Sequence, residues 1–116
     1  MGYGRDVQEA LREPARALRD QLPGVLEAYA QLHRAAMGPG ALDAKTKELV
    51  ALAIAVTKQC DGCIAAHARG AARRGATSAE VAEALGVAIM MNGGPGTVHA
   101  PRAYAAFQEF AAEAEP

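Results

Sequence analysis

The stretch Leu42–Gly75, LDAKTKELVALAIAVTKQCDGCIAAHARGAARRG, holds both cysteines of the chain, one of its three histidines and its longest uninterrupted apolar run, Leu49 to Val56. Asp43 stands where a helix needs an N-cap, and the alanine, lysine, glutamate and leucine behind it are good helix formers. The apolar run is far shorter than the ~20 residues a membrane-spanning helix requires, and its apolar positions wrap all the way round, which predicts a central buried helix. A turn near Thr57 and Lys58 follows, and a second helix begins at Cys60-Asp61-Gly62-Cys63. It ends near Gly75, with Arg73 and Arg74 in a last turn whose dipole favours positive charge. The stretch therefore reads as a helical hairpin.

Working outward, alanine, leucine, glutamate and arginine dominate, while glycine and proline fall between periodic segments. A first helix is expected over about Arg5 to Gln21, with Val7, Leu11 and Leu18 on one side and Pro14 kinking or dividing it. A second starts near Leu22-Pro23-Gly24, carries Val25, Leu26, Tyr29, Leu32 and Met37, and stops at Gly38-Pro39-Gly40. Thr77-Ser78-Ala79-Glu80 matches a capping box, so a fifth helix should run from there to about Met91. Asn92-Gly93-Gly94-Pro95-Gly96 reads as a breaking turn, and a sixth helix follows from about Val98 to Glu113. The expected fold is all-α, a single compact domain of about six helices over residues 1–116.

Composition narrows the function. A net charge of −1 offers no field for phosphate backbones, and with 4% aromatic residues there is no stacking platform, which argues against a nucleic-acid partner. The N-terminus lacks the charged and apolar regions of a secretory signal, so a cytoplasmic location is expected, where a permanent structural disulfide is rare. The 51% apolar fraction is rich in alanine, so each buried side chain removes little area from water, and packing against further copies of the chain would compensate.

On a helix, Cys60, Cys63 and His67 fall at about 0°, 300° and 340°, within one 60° sector. A thiol at a helix start is acidified by unpaired N–H groups, and an imidazole one turn on can accept a proton or steady a thiolate. In an antiparallel hairpin turning near Thr57 and Lys58, residues whose numbers sum to about 115 lie level, which sets Glu48 opposite His67. A carboxylate beside an apolar run needs a partner, and an imidazole suits it. Other readings of the same residues stand beside this one. Cys60, Cys63, His67 and Glu48 could hold zinc, the cysteines could be inert packing, or His67 and Glu48 could serve a lyase as acid and base. His33 reads as structural near a helix C-terminus, His99 as a plain surface residue with a subunit-interface or pocket role as the alternative, and Met90 and Met91 as core or interface filler.

The pattern Glu48, eleven residues, Cys60, two residues, Cys63, three residues, His67 resembles the core motif of the alkylhydroperoxidase AhpD family, part of the carboxymuconolactone decarboxylase superfamily. The resemblance spans Leu42 to Gly75 at motif level and most of the chain in helix order. It implies a peroxidatic Cys63, a resolving Cys60, and Glu48 and His67 as proton relay, with no organic cofactor. It also implies a trimeric or hexameric homo-oligomer, and a lipoyl-bearing or thioredoxin-like protein as reductant with a peroxiredoxin as electron acceptor. Well-studied members carry a second histidine just before the second cysteine; this chain has Gly62. Members that are true decarboxylases generally lack the cysteine pair.

Overall fold

Residues 2–114 are described by a computed structural model in which six helices follow one another: α1 Tyr3–Gln21, α2 Pro23–Met37, α3 Ala44–Thr57, α4 Asp61–Arg73, α5 Ser78–Asn92 and α6 Gly94–Ala114. No strand occurs among the described residues. The all-α expectation is met, and the caps account for the boundaries. Asp43 accepts the Thr46 N–H at 2.7 Å to open α3. At α5, Thr77 and Glu80 form a reciprocal capping box, and Lys45 reaches across from α3 to the same Glu80 carboxylate at 2.8 Å.

Two helix ends use the same device. After α4, Gly75 takes φ +79°, while Ala76 N–H reaches Ala71 O and Gly75 N–H reaches Ala72 O. After α3, Gln59 takes φ 53°, Cys60 N–H reaches Ala55 O and Gln59 N–H reaches Val56 O. Both are Schellman endings. The second uses a residue with a β-carbon in a conformation that costs such residues roughly 1–2 kcal/mol. That turn delivers Cys60 to the start of α4.

Three expectations are corrected in whole or in part. Pro14 does not divide α1, which runs on from Tyr3 to Gln21, and the helix beyond Gln8 is exposed. α6 begins at Gly94 rather than near Val98, because Pro95 suits a first turn whose N–H groups have no partner anyway, and Gly96 packs tightly against Ile89. The break contracts to Gly93, at φ +66°. Finally, α3 is not wrapped on all sides. Leu52, Ala55 and Val56 are buried, but Val50 and Ile54 are half exposed. The role of central helix falls to α4, whose Ile64, Ala65, Ala68 and Ala71 have no exposure. It packs against α1, α3 and α6, and the alanines let the backbones approach closely. Phe107, Leu52, Ile64, Val56 and Val81 fill the core. Among the described residues no helix is long and apolar enough to cross a membrane.

Candidate dithiol site

The turn between α3 and α4 sets Cys60 as N-cap of α4, its sulfur accepting the Cys63 N–H at 3.2 Å. The two cysteines are joined by a disulfide, with Cα atoms 5.2 Å apart. Cys60 is half-buried and Cys63 exposed, so an incoming molecule meets Cys63 first. One turn on, His67 Nδ1 lies 2.8 Å from Glu48 Oε1. The hairpin register expected from the sequence is thus present for Glu48 and His67, and that pair follows the Cys60–Cys63 disulfide by one turn of α4.

The pair is well sheltered, the Glu48 side chain being 12% exposed and that of His67 20%. A buried carboxylate is tolerated only with a partner, and here the imidazole supplies it. With Nδ1 engaged by Glu48, Nε2 is the ring nitrogen left for another partner. Glu48 also depends on Gly70, because a β-carbon there would collide with its carboxylate. Sequence reasoning missed Gly70; the available signal was a glycine three residues after His67 on the helix face turned toward α3.

Contacts from α1, also missed, reach the two residues between the cysteines. Tyr3 donates its hydroxyl hydrogen bond to Asp61 Oδ1 at 2.6 Å, pinning the residue between the cysteines. Burial, then the hydrogen bond and charge of Asp61, hold the Tyr3 hydroxyl far above the usual phenol range, so it stays a donor. Leu11 lies over Gly62, 3.2 Å from where a β-carbon would stand, and so occupies the space above that position.

His33 is exposed on α2, its ring stacks on that of His67 with centroids 6.1 Å apart and planes 15° from parallel, and it lines the cleft that holds Glu48 and His67. His99 is not a plain surface residue: its Nδ1 is out of contact with solvent and has no partner among the described residues. Met90 and Met91 are not core; both lie largely exposed. As for the zinc reading, the two sulfurs are bonded to each other, and among the described residues no three His, Cys, Asp or Glu side chains are arranged to hold a metal ion.

Residues 23–111 match the carboxymuconolactone decarboxylase family. This chain is a member of that family. It is 42% identical to an uncharacterized protein of Cupriavidus necator over 91 residues, 78% of this chain and 80% of the relative. Its fold superposes with TM-score 0.89 on the apo form of a carboxymuconolactone decarboxylase family protein from Legionella pneumophila, at 39% identity, covering 93% of this chain and 96% of that one. A family protein of Thermotoga maritima described as a candidate for antioxidative response aligns with TM-score 0.72 and 32% identity, over 84% of this chain and 86% of that one. With its four-residue motif the chain is an AhpD-like member of this superfamily.

Proposed function

We propose that this family member is a thiol-dependent oxidoreductase that cycles Cys60 and Cys63 between dithiol and disulfide, reducing an organic hydroperoxide or a disulfide. The observation that carries the reading is an exposed Cys63, bonded to Cys60, one helical turn from an imidazole whose far nitrogen is held by a buried carboxylate. In the reduced protein His67 takes the Cys63 proton while Glu48 steadies the imidazolium. The thiolate attacks the terminal oxygen of the hydroperoxide, the O–O bond breaks, and the departing alkoxide takes the proton from His67. An alcohol leaves and Cys63 is a sulfenic acid. Cys60 then attacks that sulfur, the S–OH bond breaks, the hydroxide leaves as water with the proton of the Cys60 thiol, and the disulfide forms. An external dithiol, such as a lipoyl-bearing or thioredoxin-like protein in a reducing cytoplasm, returns two electrons and two protons by thiol–disulfide exchange. With a disulfide substrate the same thiols act without the O–O step. Gly62 leaves His67 as the only imidazole on α4, so the proton traffic falls to it and Glu48.

The same reading includes self-association. α2 buries none of its residues and exposes Val25, Tyr29 and Leu32, and Leu42, Val50 and Ile54 are exposed beside its C-terminal Ala36 and Met37, apolar surface suited to a second copy of the chain.

The test follows hydroperoxide consumption with a dithiol reductant in wild type, Cys63→Ser and Cys60→Ser. Cys63→Ser should lose activity at least about a hundredfold, and Cys60→Ser should react once and gain one oxygen by mass. Equal turnover in all three proteins would overturn the proposal, and turnover of a lactone acid surviving replacement of both cysteines would favour a lyase instead.

A further inference from the structure

α4 and its C-cap residue Arg74 carry a stripe that continues beyond the dithiol. At 100° per residue Cys63, His67, Gly70 and Arg74 fall within about 60° of one another, and the stripe runs about 16 Å along the axis. Beside its C-terminal half lies a cleft of about 450 Å³, in the size range of small-molecule sites. Glu48, His67 and His33 line one part of it, and Arg69, Arg73 and Arg74 the other.

The charge of this cleft is unbalanced. Its one carboxylate, Glu48, is committed to His67. Among the described residues none of the three arginines is in an ion pair. Glu113, in the neighbouring hollow that Arg69 and Arg73 also border, is paired with Arg5. Arg69 is held in place by a hydrogen bond to Gln8 Oε1 at 3.2 Å and by stacking over the Phe110 ring at 5.7 Å. A helix C-terminus favours positive charge, which accounts for Arg73 and Arg74 singly. It does not account for a third guanidinium, oriented by α1, meeting them in a concave space that also holds the imidazole nearest Cys63.

We infer that this cleft binds the carboxylate of an organic anion, so that a carboxylate-bearing hydroperoxide or disulfide is anchored at the arginines while its reactive group reaches Cys63. Arg73 and Arg74 line the same cleft as His67, and with about 1.5 Å of rise per residue and the reach of an arginine side chain an anion held there lies on the order of 10 Å from the Cys63 sulfur. Guanidinium groups pair with carboxylates through two parallel hydrogen bonds and fix orientation as well as position. The role in turnover rests on the dithiol reading above; the binding itself does not.

Two measurements separate these claims. Octanoate and octanamide, neither of which reacts with thiols, are titrated calorimetrically into the intact protein and into Arg73→Gln/Arg74→Gln. Wild type should prefer octanoate by about tenfold, and that preference should fall below about twofold in the variant and shrink with added salt. Equal affinity for both probes in wild type, or a preference unchanged in the variant, overturns the assignment. In the second measurement a fatty-acid hydroperoxide and its methyl ester are compared as substrates, with kcat/KM favouring the acid about tenfold in wild type and losing that ratio in the variant. If neither is consumed while octanoate still distinguishes the two proteins, the redox reading fails and the cleft stands. If both are consumed equally and octanoate binds no better than octanamide, the redox reading stands and the cleft assignment fails.

Discussion

α4 and α2 each bring a histidine to the same cleft, yet they sit in opposite surroundings. α4 has four residues with no exposure, is pressed between α1, α3 and α6, and holds His67 against a buried carboxylate. α2 buries no residue, and His33 on it meets His67 by ring stacking. Catalytic geometry needs side chains locked by their neighbours, and only α4 provides that. α2 instead lends a ring and an apolar face, which is what a helix at a rim or an interface supplies. The rigid part of the site is thus confined to one hairpin.

The widest gap between the two helices should be in stability. Ile64→Ala in α4 removes a fully buried side chain and should cost about 3 kcal/mol. Leu32→Ala, at a 63% exposed position in α2, should change the stability of the monomer by no more than about 0.5 kcal/mol. Urea denaturation of both variants checks this, at a concentration where the chain is monomeric; similar losses would erase the distinction.

A smaller effect is expected at Gly70, where α4 meets Glu48. Alanine gains roughly 1 kcal/mol of helix propensity over glycine, but its β-carbon displaces the carboxylate and disrupts a charged hydrogen bond worth about 1.5–3 kcal/mol. Gly70→Ala should therefore lose about 1 kcal/mol net and, by unseating Glu48, slow reaction of the reduced protein with hydroperoxide. Gly24→Ala on α2 meets nothing within 4 Å and should do neither. Paired denaturation and rate measurements would show it.

The smallest change concerns how the chain enters α4. Gln59 and Gly75 occupy equivalent positions in two Schellman endings, and only the first is strained. Gln59→Gly should relieve that strain and raise stability by about 1 kcal/mol or less, partly offset by the freer unfolded chain. Thermal denaturation reports the sign. A drop would mean that the Gln59 side chain contributes more than its backbone conformation costs.

Much of the site was readable along the chain because its parts lie on consecutive helices. Cys60, Cys63 and His67 are related by helical pitch, and Glu48 is related to His67 by the register of one short-linked hairpin. Both relations are local, so helix pitch and hairpin register were enough to pair Cys60 with Cys63 and Glu48 with His67, and local signals likewise set the helix caps and the all-α class. Tertiary structure alone decided what surrounds these residues. Tyr3 on Asp61, Leu11 over Gly62, Gln8 on Arg69 and His33 against His67 join residues dozens of positions apart, through packing angles that no local periodicity encodes. The outward face of α3 belongs with them: an apolar run in which every turn looks alike does not specify which side its neighbours cover, and that choice was made by the helices packed against it.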